Sequence, residues 1–311
     1  MSPTIPQFQP ETPPLGRLPG RLIFLLLSIG FALLGSTPSK ASSHFVEVLE
    51  GQLPVVLTAP HGGREKPDAF PDRPKGTFAF DTNTQELAKA CAAALQKITG
   101  LPVDLVVCKL HRIKVDCNRE AEEGAAGHPE ALGVWNDYHA AIRSALQRSV
   151  QQHGMALLID LHGHGHPTPR MEIGYGHNPD TYALPEPELN AQATWTKSTV
   201  AALMRRPSPA ALSYAEVIRG PASLGSLLSR QGFAATPSES VPVPPAPYFN
   251  GGYTVRRFPS EIRGVAALQI ETHYRGLRDQ PENQKRFGEA LAEALRDYLP
   301  RWLGVSLPMA R

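Results

Sequence analysis

The stretch "MALLIDLHGHGHP", residues 155–167, decides how this chain folds. Its apolar run is short, unbroken and closed by glycine. Such a run reads as a strand buried on both faces rather than as a helix. It ends on Asp160 and His162, whose side chains fall on one side of a strand. A second run, "PVVLTAPHGG" (residues 54–63), repeats the arrangement and ends on His61 and two glycines. Two strand-end histidines can hold a metal ion between them.

Outward from these runs, strands and helices alternate. "HFVEVLEG" and "PVDLVVCKL" read as strands, "MEIGYG" as a shorter one and "GVAALQIETHY" as a late buried one. The stretch 81–100 reads as a helix that Asp81 or Thr82 can cap. Its apolar face is Leu87, Cys91, Ala94, Leu95 and Ile98, and Gly100 stops it. Helices are also expected over 129–154, 190–206, around 223–232 and over 281–304, where Phe287, Leu291, Leu295, Tyr298 and Trp302 share a face. Apolar strands alternating with amphipathic helices predict an α/β fold, with a mostly parallel or mixed central sheet and helices on both faces. Ligands of such sheets bind beyond the carboxyl ends of the strands. His61, His162 and Glu271 all stand at such ends.

Residues 1–41 read as a leader. Arg17 and Arg21 precede the apolar "LIFLLLSIGFALL", and Ser39 and Ala41 place small residues as a cleavage site requires. The expectation is a signal peptide cleaved near Ala41 or an uncleaved N-terminal anchor, with residues 42–311 an exported single domain, periplasmic or secreted. The chain holds 31 basic and 29 acidic residues. The leader accounts for Arg17, Arg21, Lys40 and Glu11, leaving 28 of each sign in the body. A neutral body offers nothing to a nucleic acid or an anionic membrane. Cys91, Cys108 and Cys117 form no C-x-x-C pair, so thiolate zinc is not expected. Cys108 and Cys117 can pair or stay free.

The residues carrying chemistry each have a plain alternative. A lone His61 can be a structural hydrogen-bonding residue. His164 and His166 extend His162 into "HGHGH", a polar loop or a rival metal-collecting tract. A catalytic zinc site needs two histidines, a carboxylate and an open position. Glu65 and Asp81 are the candidates for that carboxylate. Asp81 is preferred because a helix start packed behind a strand is a fixed position, although a cap is its plain alternative. Asp160 can orient His162 from behind. "KVDCNRE" (residues 114–120) supplies Asn118 and Arg119, and an arginine grips a carboxylate by its planar fork. "FNGGYTVRRF" (residues 249–258) adds Tyr253 and Arg256 after what reads as a glycine turn. Glu271 ends the apolar "ALQIE", where a carboxylate is costly unless paired or functional. The Pro-rich run 236–248 can form a lid.

Taken in order, "APHGG", "VDCNR", "IDLHGH", "FNGGYTVRR" and "LQIE" resemble the N-formylglutamate amidohydrolase family over residues 55–275. The resemblance extends to zinc carboxypeptidases and poly-γ-glutamate hydrolases, and implies their α/β fold. It implies one Zn²⁺ on His61, Asp81 and His162, a substrate carboxylate held by Asn118 and Arg119, and Glu271 as general base. Arg256 would assist the clamp, and Tyr253 would donate to the developing oxyanion. The expected substrate is a small N-acylated amino acid or a glutamyl peptide. An exported peptidase or polyglutamate hydrolase is the nearest alternative, and a non-catalytic zinc-binding protein the more distant one. A formylglutamate deformylase of histidine breakdown would be cytosolic, so the leader departs from the resemblance.

Overall fold

Among the described residues, seven strands form one mixed sheet in the order β1-β3-β2-β4-β7-β5-β6. They are β1 (Val46–Leu49), β2 (Val55–Ala59), β3 (Asp104–Cys108), β4 (Ala156–Gly163), β5 (Met171–Gly174), β6 (Ala235–Thr236) and β7 (Val265–Thr272). The structure is a computed structural model that describes residues 43–206 and 212–310. The leader reading therefore lies outside the described residues. The described residues belong to one compact unit. None of their helices is long and apolar enough to cross a membrane.

The parallel centre is β3-β2-β4-β7, and β5 pairs parallel with β6. Only β1 against β3 and β5 against β7 run antiparallel. β4 is central, as its unbroken apolar run requires, and its first seven residues are buried. Strand alternation sorts side chains into two cores. Val55, Leu57, Leu105, Leu157, Ile159 and Ile270 face one core, with the helices Thr84–Thr99 and Pro281–Trp302. Val56, Val106, Ala156, Leu158 and Ala267 face the other, with the helices Pro129–His153 and Tyr253–Glu261. The expectation of helices on both faces holds. Cys91, Cys108 and Cys117 are free, buried thiols.

Three local expectations are corrected. The single helix over 190–206 is broken: only the one-turn pieces Gln192–Trp195 and Ala201–Met204 form there. The Ser198 and Thr199 hydroxyls between them donate to the carbonyls of Tyr175, just past β5, and of Ala267 in β7. This is the competition that short hydroxyl side chains offer a helix. Neither Asp81 nor Thr82 caps the first long helix. Asn83 holds the N-cap position at φ 63°, with no side-chain cap bond. The Gly251–Gly252 stretch, read as a glycine turn, is the lead into the helix Tyr253–Glu261, with Gly252 at its N-cap.

Candidate metal centre and active-site cleft

In the register of β4 on β7, His162 stands opposite Glu271, and Asp160 opposite Gln269. All four side chains therefore emerge on one face of the sheet, at its carboxyl end. His61 joins them from the turn after β2. Its two glycines are dictated by space. A Cβ on Gly62 would stand 2.5 Å from the Thr84 hydroxyl, and one on Gly63 would strike the Lys109–Leu110 backbone. The turn is thus pressed between the first long helix and the end of β3, which fixes His61.

His61, Asp81 and His162 converge. One ligand atom from each lies within 4.8 Å of the others, and all three residues are buried. Asp81 Oδ2 is 3.1 Å from His162 Nδ1 and 3.5 Å from His61 Nδ1, and accepts from the Gly163 N–H at 3.1 Å. The opposite nitrogens point away to carboxylates: His61 Nε2 to Asp116 Oδ1 at 2.7 Å, His162 Nε2 to Asp160 Oδ2 at 2.9 Å. Asp160 is steadied by the Thr58 hydroxyl at 2.5 Å, and Asp116 by Arg112 Nε at 2.8 Å. A carboxylate behind each imidazole fixes its tautomer and aims the other nitrogen. Glu65 stays outside, part-exposed beside Lys109. Of the two carboxylates weighed from the sequence, the structure brings Asp81 to the histidines.

The polar accounting shows that a cation fits. His61 Nδ1 is buried and has no hydrogen-bond partner, a costly state for a group so aimed. Burial opposes ionisation of Asp81, yet the neighbouring His162 and His61 imidazoles hold its carboxyl well below the usual carboxylate range. Burial likewise opposes a charge on His162, and Asp160 and Asp81 override it and raise the imidazole well above its usual value. Two imidazoles and a carboxylate thus converge on one point. That donor set suits Zn²⁺.

A second group, His164, His166 and Glu172, also clusters. Its accounting differs. His164 Nε2 bonds the Arg170 carbonyl at 2.8 Å, and His164 Nδ1 accepts from the His166 N–H at 3.1 Å. Arg170 already sits 3.1 Å from Glu172 Oε1. Both His164 nitrogens are used and the carboxylate has its cation, so these residues do not ask for a metal.

The centre opens into a cavity of ≈ 340 Å³ lined by Arg112, Asn118 and Arg119 on one side and by residues 248–252, Gln269 and Glu271 on another. Glu271 Oε1 accepts from Gln269 Nε2 at 2.8 Å, while Oε2 is buried without a partner. Burial, aided by the Asp81 and Glu172 charges, pushes its carboxyl up to about 8 against the pull of His162 and Arg278. Asn118 lies between the metal centre and the helix Tyr253–Glu261. Its Nδ2 lies 3.3 Å from His162 Nε2, and its Oδ1 accepts from the Thr254 N–H at 2.9 Å. A Cβ on Gly252 would collide with the Asn118 amide, which accounts for glycine there. Arg119 lines the cavity, about one-third exposed, with Nε 3.3 Å from Glu123. Tyr253 and Arg256 stand elsewhere. The Tyr253 ring packs on Trp135 and His139, and Arg256 lines a neighbouring cavity, bound to Gly176 O and Asn250 Oδ1.

Sequence reading missed Asp116, Arg112 and Gln269. Asp116 lay inside the quoted "KVDCNRE", a carboxylate between Val115 and Cys117. That apolar bracketing is the signal that it is buried and needs a partner.

The fold is similar to that of a known amidohydrolase. An N-formylglutamate amidohydrolase from Ralstonia eutropha JMP134 superposes with a TM-score of 0.50 at 15% identity, covering 84% of this chain and 99% of that one. A gene product of Agrobacterium tumefaciens gives 0.47 at 14% identity, over 85% and 98%. An N-acetylmuramyl-L-alanine amidase from Mycobacterium abscessus gives 0.35 at 12%, over 79% and 98%. At these identities only the first likeness bears on the fold, and none assigns a residue. No protein-family model and no curated protein matches the sequence.

Proposed function

We propose that this chain is a metal-dependent amidohydrolase that cleaves the amide of a small, carboxylate-bearing substrate: an N-acylated amino acid or a glutamyl peptide. The observation that carries the reading is the orphaned Nδ1 of buried His61, aimed with His162 Nδ1 at Asp81, beside an equally orphaned Glu271 Oε2. The order of the five sequence motifs supports the substrate class, and the fold-level likeness agrees with it.

His61, Asp81 and His162 would hold one zinc ion. When bound, it supplies a Lewis acid and lowers the pKa of a water to about 7. Glu271 takes a proton from the attacking water on Oε2 and returns it to the leaving nitrogen as the amide C–N bond breaks. A carboxyl poised by burial rather than by an ion pair suits both directions of transfer. Gln269 holds Oε1 and so keeps Oε2 turned to the cavity. Arg119, with Arg112 beside it, holds the substrate carboxylate. Asn118 Oδ1 accepts from the Thr254 N–H and so ties the loop after β3 to the start of the helix Tyr253–Glu261, beside His162. On the composition of residues 1–41, we propose that the enzyme acts after export.

The test is a panel of N-acyl amino acids and γ-glutamyl peptides assayed with zinc and with chelator. Cleavage that chelator abolishes and zinc restores is expected. A zinc-loaded protein that cleaves none of them is instead a metal carrier, which has no use for Glu271 or Arg119.

A further inference from the structure

Arg278 ends the turn Tyr274–Arg278 just past β7 and is 2% exposed. Its guanidinium donates to three backbone carbonyls: Thr82 O through Nη1, Thr272 O through Nε at 3.3 Å and His164 O through Nη2 at 3.4 Å. Each acceptor neighbours a group of the candidate site. Thr82 follows Asp81, Thr272 follows Glu271, and His164 lies two residues beyond His162. The Arg278 backbone extends the same grip. Its carbonyl accepts from Asn83 Nδ2 at 2.8 Å and from Gln284 Nε2, in the helix Pro281–Trp302, at 2.9 Å. The Asn83 amide is therefore spent on Arg278 rather than on capping its own helix. The fit against β4 is close. A Cβ on Gly163 would stand 2.3 Å from the guanidinium carbon, and the Gly163 N–H is the one that Asp81 Oδ2 accepts at 3.1 Å. The Tyr274 ring covers the guanidinium, 5.6 Å from its carbon to the ring centroid.

A buried cation is costly, and one held by carbonyls lacks the Coulombic return of an ion pair. An apolar side chain could fill the same volume without that cost. It could not bond three separate chain segments at once, as a planar guanidinium with five N–H groups can. The three segments are a helix start and two strand ends, and they carry Asp81, His162 and Glu271. Metal ligation and proton transfer both tolerate little drift in such spacings. We propose that Arg278 is the positioning residue of the centre, fixing Asp81 and Glu271 relative to His162 through these three carbonyls. The part played on Glu271 rests on the amidohydrolase reading; the part played on Asp81 is read by zinc binding alone.

Arg278→Lys keeps the charge but replaces the planar fork with a point donor, so its effect comes from geometry. Zinc affinity in a chelator competition should fall about tenfold or more, the usual worth of a group that supports a metal ligand. At saturating zinc, kcat on a cleaved N-acyl amino acid should fall by about tenfold as well, with KM little changed because Arg112 and Arg119 are untouched. Gly163→Ala makes the same test with Arg278 present, since the added methyl displaces the guanidinium. It should lower zinc affinity and kcat in the same direction. Urea unfolding of the metal-stripped proteins separates these effects from a merely structural role, which would lower stability and leave both readings alone. A folded Arg278→Lys protein with parent zinc affinity and parent kcat overturns the inference and leaves the amidohydrolase reading standing. Should Arg278→Lys not fold, the same result in Gly163→Ala overturns it. A parent that binds zinc and cleaves no substrate overturns the amidohydrolase reading and the Glu271 part with it, and zinc affinity in the two variants then decides the Asp81 part.

Discussion

Glu271→Gln separates a catalytic carboxyl from a structural one by two opposite effects. The replacement keeps the shape and the Oε1 acceptor for Gln269, but it cannot take a proton at neutral pH. In the zinc-loaded protein kcat should fall about 10²–10⁴-fold, the usual worth of a positioned proton-transfer group. A fall in kcat/KM of the same size would mark an interaction made in the transition state. Stability of the metal-stripped protein should move the other way. Burial raises the folded carboxyl from 4.5 to about 8, so between those values the native state binds the proton more tightly than the unfolded chain. Stability is therefore lost as pH rises through that window. At 1.36 kcal/mol per unit, ionisation costs the parent up to about 3 kcal/mol at pH 7. Gln removes that cost. Urea unfolding of the stripped proteins from pH 4 to 8 should show the variant level with the parent near pH 4 and more stable above pH 6. A zinc-loaded variant with near-parent activity would refute the general-base role. A stripped variant less stable than the parent at pH 7 would refute the electrostatic reasoning, because it would show a carboxylate held by a partner.

Metal analysis should find one zinc per chain, lost in His61→Ala, Asp81→Ala and His162→Ala and retained in Glu65→Ala and His164→Ala; the reverse pattern would move the site to the "HGHGH" tract. Asp116→Asn keeps the packing behind His61 but frees its tautomer, so zinc affinity should drop about 10–100-fold in a chelator competition, whereas unchanged affinity would make Asp116 only the partner of Arg112. Arg119→Lys should leave zinc bound and damage kcat/KM far more for carboxylate substrates than for their amides, since the charge stays and the fork is lost; equal losses would assign Arg119 to the fold. N-terminal sequencing of the mature protein should begin just after Ala41, and a start at Met1 would remove the cleavage expectation.

Much was legible because it depends on near neighbours. Continuous apolar runs set β2, β4 and β7, and period alone places His162 and Glu271 on one face once the two strands pair. The histidine-then-glycine endings marked where a close approach was coming. The 190–206 segment misled because its helical pattern was outbid by sheet carbonyls that Ser198 and Thr199 reach only after folding. From the sequence, Asp81 is preferred to Glu65 as the ligand for its fixed position, with a helix cap as its plain alternative. What turned it inward is Asn83 taking the cap position and the Gly163 N–H offering a bond 82 residues away. Tyr253 and Arg256 sat in a suggestive motif, but a helix sends its residues around an axis, and of that motif only Phe249 to Gly252, ahead of the helix, line the cavity. The two histidine clusters are alike as text. Local sequence lists the donors; which lone pairs stay free depends on where distant backbone groups and carboxylates arrive. His164 meets the Arg170 carbonyl and the His166 amide, whereas His61 Nδ1 faces Asp81 Oδ2 at 3.5 Å with no hydrogen-bond partner. That difference decides where a cation belongs, and only the tertiary structure contains it.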